Sequence, residues 1–557
     1  MIFRFWGPPG TGKTYMLNRV VYHLIGFEDN SRLFDSYGFE LPLGEYELRE
    51  IAYISFMNSA VDELLGRIGV NRDYRRGEWG TLHGLALHLL IADKVIPREL
   101  VTNTFRNSRA GLYYWKRIFT YEFGLPYDPN EEIKTLPGNQ LFDGFSYAIN
   151  VYYPKYRSLS KVIDKLYEIL PDPDLVQYAE EWVKFKSERH IIDFDDILIL
   201  AYKTGVTPHS PVLVVDEFQD FSPLQYEIFK NWAQDREYVF IAGDDDQCIT
   251  IYSGASPRFI LELPGVGADY DVVLRQSFRI AKLIHEASQL YITKYVKYRY
   301  PKQFLPRDED GKVAALKMGY YMVPRLAMKF AKAGKSVLVL ARTNSLVREV
   351  EELFWNNYVE YHRLKTRAVQ IWADFVNKMY TVIWKVRNRK HVPESDLKFF
   401  FRFLRIPQKY IDTIVHAFAS GSVPLDAYKI FDNPIRLIDH GKVAEYLGSK
   451  EKADVALRAL KAKLEGKAAT LPGKIYLDTI HSAKGREADV VIVMDTMTPR
   501  VVEETYMSRD NFEAEARVWY VAMTRARELL LIVPYDMPWV YPALKKVGFK
   551  KMVDLMA

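Results

Sequence analysis

The chain has 557 residues, of which 48% are hydrophobic, 26% charged and 14% aromatic. This composition is that of a folded globular protein and excludes a disordered or fibrous chain, and the length predicts about three or four domains. The formal net charge of +5 is too small for this length to indicate a nucleic-acid partner by itself. Such a partner can be inferred only from local clusters of basic residues.

The chain contains one cysteine, Cys248. A single cysteine excludes a disulfide within the chain and a cysteine-built zinc or iron–sulfur site. The apolar start at Met1 is broken by Arg4, and no apolar run of the sequence is long enough to span a bilayer. We therefore expect a cytoplasmic protein with no membrane partner and no iron–sulfur cluster.

The predicted elements alternate between short apolar strands and helices. Strands are predicted at residues 51–56, 212–215, 239–242, 337–340 and 490–494. Alternation of this kind is typical of parallel sheets flanked by helices, which indicates the α/β class. Two long segments instead show helical periodicity and read as insertions. The predicted domains are a first core at 1–85 and 186–280, its helical insertion at 86–185, a second core at 281–344 and 471–557, and its helical insertion at 345–470.

A glycine-rich sequence follows the first predicted strand. Residues 7–14 read GPPGTGKT, between a strand-like segment and a helical one. This context fits a phosphate-binding loop, in which backbone N–H groups and a helix N-terminus hold the phosphates. We expect Lys13 to meet the β and γ phosphates and Thr14 to bind Mg²⁺. The predicted nucleotide contacts in the loop are Gly7, Pro8, Pro9, Gly10, Thr11, Gly12, Lys13 and Thr14.

An acidic pair, Asp216 and Glu217, follows the apolar strand at 212–215 within the sequence DEFQD. Carboxylates at the carboxyl end of a strand, across from a phosphate-binding loop, suit Mg²⁺ coordination by the first and activation of water by the second. An exposed acidic loop is the alternative for such a pair alone. The pair together with GPPGTGKT favours a site that hydrolyses a nucleoside triphosphate.

Further motifs follow in order along nearly the whole chain. They are FMNSAVDEL at 56–64, GTLHGLA at 80–86, DFDDIL at 193–198, GDDDQCITIYSGA at 243–255, LRQSFR at 274–279, LARTN at 340–344, TIHSAKGREADVV at 479–491 and YVAMTRAR at 520–527. This series resembles the UvrD/Rep-like superfamily 1 DNA helicases. The resemblance implies two RecA-like P-loop parallel-sheet cores, each with a mainly helical inserted subdomain, that use ATP and Mg²⁺.

The resemblance also implies roles at the nucleotide. Gln247 would sense the γ-phosphate, and Arg279 and Arg525 would act as arginine fingers from the second core. Glu487 would hold the ribose, and Phe278 would stack on the base, with help from Tyr15. Because the phosphate loop begins at residue 7, we expect no counterpart of the glutamine-containing segment that reads adenine in this family; an incorrectly assigned start of the sequence is the alternative explanation. We therefore expect weaker discrimination among nucleoside triphosphates.

Single strands are commonly held by aromatic stacking and a basic track. The resemblance places seven residues on the strand, namely Phe56, Asn58, Thr81, His83, Tyr252, Thr479 and His481. Tyr252 stands where the family usually has tryptophan. Basic clusters at 275–302 and 385–409, the second interleaved with phenylalanines, add to the expectation of a nucleic-acid partner. A core role for the aromatic residues and a solvated basic face are the alternatives.

The leading interpretation is an ATP-dependent translocase and DNA helicase that moves 3′ to 5′ on single-stranded DNA and at junctions between single strands and duplex, with the direction taken from the resemblance. One alternative is a protein-displacing or RNA translocase without duplex unwinding. Another is a nucleic-acid-binding regulatory or defence subunit whose ATP site senses the nucleotide.

Overall fold

The computed structural model falls into two compact units, Met1–Lys312 with Pro499–Thr524 and Val313–Thr498 with Arg525–Ala557. The residues described are 1–55, 58–70, 78–105, 110–128, 136–170, 172–316, 319–357, 359–364, 371–420, 423, 428–448, 450–466 and 473–534.

The first unit is built on a six-stranded sheet in the order β3-β2-β4-β5-β1-β6. Its strands are β1 (Ile2–Trp6), β2 (Ile51–Ile54), β3 (Trp79–Gly80), β4 (Val212–Val215), β5 (Tyr238–Gly243) and β6 (Tyr270–Val273). All of the pairings are parallel. Every residue of β2, β4 and β5 is buried, as expected for apolar strands covered by helices on both faces. The loops that follow β1, β4 and β5 therefore share one edge of the sheet.

Helices surround this sheet. They are α1 (Lys13–Leu24), α2 (Ser31–Asp35), α3 (Asn58–Arg67), α4 (Leu82–Ala92), α5 (Arg98–Phe105), α6 (Ala110–Glu122), α7 (Pro137–Tyr156), α8 (Leu159–Asp164), α9 (Val176–Glu188), α10 (Phe194–Thr204), α11 (Pro223–Ala233), α12 (Arg258–Glu262) and α13 (Lys282–Tyr295). One continuous hydrophobic core joins the sheet, through residues such as Val215, to the inserted helices, through residues such as Phe142 and Trp182. The first insertion therefore shares its core with the sheet that it interrupts.

The second unit contains a five-stranded sheet in the order β7-β11-β10-β8-β9. The strands are β7 (Lys312–Ala315), β8 (Val337–Ala341), β9 (Ile475–Thr479), β10 (Ala488–Asp495) and β11 (Ala526–Pro534). The pairings among β8, β9, β10 and β11 are parallel. Its helices are α14 (Val323–Lys332), α15 (Asn344–Asn356), α16 (Ile371–Arg387), α17 (Glu394–Arg402), α18 (Gln408–Ser420), α19 (His440–Leu447) and α20 (Lys450–Leu464). The helices from α16 to α20 enclose a separate core that includes Phe375, Phe400 and Leu460.

Two parallel-strand sheets with flanking helices confirm the predicted α/β class. The packing divides the chain at different residues from those expected. The helices α21 (Pro499–Tyr506) and α22 (Arg509–Met523) lie in the first unit, where α22 packs against α13. Both segments and α13 itself were expected in the second core, and they group with the first unit because α22 packs against α13 and against residues 245–247, which follow β5. None of the helices in the described parts of the chain combines the length and the apolar character that a membrane span requires.

A buried charge cluster lies where the first insertion returns to its sheet. Lys186 Nζ donates to Asp193 Oδ2 at 2.8 Å and to Asp196 Oδ2 at 2.6 Å. Burial would raise the pKa of Asp193, but Lys186 outweighs it and holds that pKa well below its ordinary value. Asp195 lies beside this pair and accepts hydrogen bonds from Ser146 at 2.9 Å and Asn150 at 3.0 Å. Burial, reinforced by Asp193, raises the pKa of Asp195 to about 7.

The variant Asp195→Asn is expected to flatten the pH dependence of stability. The folded chain keeps a proton on Asp195 up to a pKa of about 7, whereas the ordinary value is 3.8. The folded state therefore binds more protons between these values, and this residue makes stability fall as the pH rises through that window. The free energy of unfolding of the variant minus that of the wild type should be higher at pH 8 than at pH 4, by about 1 kcal/mol or more. Urea unfolding at both pH values measures this gain, and an unchanged difference would contradict it.

Candidate nucleotide-hydrolysis site

The glycine-rich loop connects β1 directly to α1. Gly7 N donates to the carbonyl of Gly243 at 2.9 Å, which ties the start of the loop to the end of β5. Lys13 opens α1, and its Nζ lies 3.1 Å from the carbonyl of Gly7 and 3.7 Å from Glu217 Oε1. Gly12 has φ 81°, a left-handed conformation that glycine adopts without steric cost. The loop thus curves back over the helix N-terminus, as phosphate binding requires.

The acidic pair lies at the neighbouring strand end. Thr14 Oγ1 donates to Asp216 Oδ2 at 2.6 Å, which brings together two residues that stand 202 positions apart. Burial, and then the nearby Glu217, raise the pKa of Asp216 to about 6. Glu217 itself has φ 54°, a left-handed conformation that costs a non-glycine residue about 1–2 kcal/mol. Strain of this kind is typical of functional positions, where the surrounding structure over-determines the backbone.

The donor set fits magnesium. The hydroxyl of Thr14 and the carboxylate of Asp216 are hard oxygen ligands, and their close contact places both at the mouth of the loop. Mg²⁺ bound there would neutralise charge on the phosphates. Glu217 adjoins this pair, and its carboxylate is partly exposed, so that a water molecule could approach it. The arrangement can therefore support attack of water on a terminal phosphate.

Two glutamines, Gln219 and Gln247, form hydrogen bonds around the acidic pair, and the sequence predicted a role only for Gln247. Gln219 Nε2 donates to Glu217 Oε2, and Gln219 Oε1 accepts from the backbone N–H of Asp244 at 3.0 Å. Gln247 Nε2 donates to Asp244 Oδ2 at 2.7 Å. Gln219 and Asp244 each follow a buried strand within one of the quoted motifs, and this position in the sequence could have identified them as site residues. A continuous hydrogen-bonded path thus joins Glu217 to Gln247.

The segment 277–279 packs against the loop from the same unit. Ser277 Oγ donates to the carbonyl of Pro9 at 2.8 Å, and Phe278 N donates to the carbonyl of Gly10 at 2.9 Å. A Cβ on Gly10 would meet Arg279 Cβ at 2.4 Å, so glycine is needed for this approach. Arg279 therefore lies in the first unit, as the predicted bounds 186–280 place it, and not in the second core from which the resemblance implied an arginine finger; that role remains a prediction. Its packing on the loop fixes its place.

Two rings beside the loop are exposed. Tyr15 is 50% exposed and Phe278 is 72% exposed, so either face could take a base. The guanidinium of Arg19 lies 4.6 Å from the centre of the Tyr15 ring. Exposure of large apolar rings beside a phosphate loop is compatible with stacking on a nucleotide. Their role as base contacts remains a prediction.

The other residues predicted at the nucleotide lie in the second unit. Arg525 is buried, and its NH1 lies 3.5 Å from the carbonyl of Arg486. Glu487 is partly exposed, and its Oε1 lies 3.7 Å from NH1 of Arg527. Both residues flank β10 and β11 in sequence. Their roles as arginine finger and ribose contact remain predictions.

A cavity of about 270 Å³ brings together two of the residues that were predicted to contact single-stranded DNA. Thr81 and His83 line it, and the ring of His83 packs edge-on against Phe194 at 5.8 Å. Phe194, Phe221 and Gln225, for which the sequence predicted no role, also line it, together with Ile54, Ser55 and Leu82. Aromatic rings with interspersed polar groups suit a nucleobase.

The other residues that were predicted to contact single-stranded DNA do not line this cavity. Tyr252 is 66% exposed in the first unit, whereas Thr479 is buried and His481 half-buried in the second. Phe56 lies outside the described residues. Asn58 opens α3, and its side chain also lies outside the described part of the chain. The contacts of these residues with single-stranded DNA therefore remain predictions.

The two basic clusters are only partly surface features. Arg299 and Lys302, which were expected on a basic track, instead pair with Asp244, Asp245 and Asp246 in the interior. In the second cluster, Phe400, Phe401 and Phe403 belong to the core of the helical insertion. Residues that the sequence pattern predicted at a nucleic-acid surface are thus used in apolar packing and in buried ion pairs.

Comparison with known proteins gives two family matches. Residues 6–265 match the UvrD/REP helicase N-terminal domain, and residues 442–536 match the UvrD-like helicase C-terminal domain. The chain is 24% identical to the putative ATP-dependent DNA helicase YjcD of Bacillus subtilis, over 73% of this chain and 62% of that protein. It is 24% identical to the ATP-dependent DNA helicase Rep of Buchnera aphidicola, over 53% of this chain and 43% of that protein. It is 25% identical to the ATP-dependent DNA helicase PcrA of Leuconostoc citreum, over 62% of this chain and 45% of that protein. The chain thus spans less than two thirds of the length of these relatives.

Proposed function

Because the chain belongs to the UvrD/Rep-like superfamily 1 helicases, we propose that it is an ATP-dependent single-stranded DNA translocase and DNA helicase that moves 3′ to 5′. The observation that carries the proposal is the joining of Thr14, Asp216 and Glu217 at the mouth of the phosphate loop. A carboxylate next to a magnesium-binding pair is what hydrolysis of a terminal phosphate requires. The relatives named as ATP-dependent DNA helicases support DNA as the track.

In the proposed cycle, Lys13 holds the β and γ phosphates, and Thr14 and Asp216 hold Mg²⁺. Glu217 accepts a proton from the attacking water, while Gln219 and Gln247 keep the site oriented. Thr81 and His83 contact the strand from the cavity in the same unit. Hydrolysis advances the strand if the open and closed states of the protein grip it differently.

The proposed direction is tested with duplexes that carry a single-stranded tail at one end. We expect ATP-dependent unwinding of a duplex with a 3′ tail and little unwinding of the same duplex with a 5′ tail. A blunt duplex serves as the matched control, because it offers no single strand on which to load.

Other outcomes would redirect the proposal. Unwinding from 5′ tails alone would contradict the direction. Displacement of streptavidin from a tailed strand without unwinding would favour a protein-displacing translocase. Activity on RNA strands alone would favour an RNA translocase, and no turnover with either strand would favour a regulatory or defence subunit with an ATP-sensing site.

A further inference from the structure

A buried lysine lies behind the hydrolysis site. Three consecutive aspartates, Asp244, Asp245 and Asp246, follow β5 and are fully buried. Lys302 Nζ lies 2.9 Å from Asp244 Oδ1 and 2.9 Å from Asp246 Oδ2, and it also donates to Asp245. Three carboxylates with this spacing could hold a metal ion, but the lysine ammonium already contacts all three.

Charge alone does not account for this arrangement. Arg299 forks onto Asp246 with bonds of 2.9 and 2.6 Å, so two cations face three carboxylates. Burial raises the pKa of Asp245 to about 6, against the pull of Lys302. Arg299 pairs with Asp246, whereas Lys302 contacts Asp244 directly, at 2.9 Å. Lys302 is therefore more than a counterion for the group as a whole.

The contact with Asp244 has a directional consequence. With Oδ1 held by Lys302, Asp244 Oδ2 accepts from Gln247 Nε2 at 2.7 Å. The backbone N–H of Asp244 can only donate, so it fixes the amide oxygen of Gln219 towards itself at 3.0 Å. The amide nitrogen of Gln219 then donates to Glu217. The orientation of both glutamines thus depends on where Asp244 stands.

The residues next to Asp244 allow Gln219 to approach its backbone N–H. A Cβ on Gly243 would lie 2.4 Å from Gln219 Oε1, so a larger residue would push the amide away. On the other side, Tyr300 N donates to Asp245 Oδ2 at 3.0 Å, and the Tyr300 ring stacks on Trp6 at 4.1 Å. Trp6 is the last residue before the phosphate loop. The segment 298–302 therefore supports both the loop and the aspartates.

We infer that Lys302 is a positioning residue for ATP hydrolysis, which acts through Asp244 to hold Gln219 on Glu217 and to orient the amide of Gln247. The inference rests on the proposed ATPase function. A positioning role predicts a loss of turnover that is separate from any loss of folding, because small displacements of oriented groups slow the chemical step.

The test uses Lys302→Met combined with Asp245→Asn at pH 8, where Asp245 is ionised, so that the variant removes one positive and one negative charge and leaves the net charge of the cluster unchanged. We expect the melting temperature to fall, because buried Asp244 loses its lysine, and the KM for ATP to stay near the wild-type value, while the strand-stimulated kcat falls about ten- to a hundredfold. The control is Lys230→Met, because Lys230 forms a surface ion pair with Glu227 in the same unit. It should leave all three quantities unchanged.

A second variant guards against failure of the first to fold. Lys302→Arg keeps the charge, but a planar guanidinium does not place one nitrogen against three carboxylates as an ammonium does. We expect kcat to fall in this variant as well, with the melting temperature nearly unchanged. A wild-type kcat in either folded variant would overturn the inference alone. An inactive wild-type protein would overturn the proposed function together with it.

Discussion

Replacement of Glu217 by glutamine is expected to lower the kcat for ATP hydrolysis at least about a hundredfold, the size of effect typical of losing a general base. Glutamine keeps the shape of the side chain but cannot accept a proton from water. Lys13, Thr14 and Asp216 are untouched, so binding of ATP should be retained. Steady-state ATPase assays and equilibrium binding of a fluorescent ATP analogue measure the two effects separately.

The matched control for this variant is Glu227→Gln on the surface of α11, where the carboxylate pairs with Lys230. It makes the same chemical change away from the site and should leave kcat unchanged. Full activity of the Glu217 variant would mean that another group accepts the proton, and the assignment of Glu217 would be wrong.

Replacement of Lys186 by methionine is expected to lower the free energy of unfolding by about 3–5 kcal/mol, because it leaves buried carboxylates without their cation. Lys186 and Asp193 are both buried, and Trp182 Nε1 also donates to Asp193 Oδ2, at 3.1 Å. Burial and Asp193 raise the pKa of Asp196 to about 6, so protonation can relieve part of the loss in acid. The destabilisation should therefore be smaller at pH 5 than at pH 8.

Urea unfolding followed by circular dichroism at both pH values measures this effect. Lys184→Met provides the control, since Lys184 is exposed on the same helix, α9. A loss for Lys186→Met no larger than that of the control would show that the buried pair contributes little to the stability of the insertion.

The strand-to-loop transitions could be predicted from the sequence. The apolar runs before GPPGTGKT and before Asp216 are short, buried and parallel in the structure, as their composition indicated. Because the carboxyl ends of parallel strands share one edge, the meeting of Thr14 with Asp216 also follows from the pattern. Local sequence and sheet geometry are sufficient for this part of the site.

The residues behind the site could not be predicted in this way. Lys302 stands in a lysine-rich, tyrosine-rich stretch that reads as a solvated face, and its aspartate partner is 57 residues away. Only the return of the chain after α13 brings the two together. The same applies to α22, whose packing with α13 in the first unit depends on long-range contacts rather than on local periodicity.

The central claim is that this site hydrolyses ATP in response to a bound single strand. The most direct measurement is the steady-state ATPase rate of the wild-type chain without nucleic acid, with single-stranded DNA and with RNA of matched sequence. We predict a rate that rises strongly with DNA and depends on Glu217. A rate that is unchanged by either strand would contradict the account.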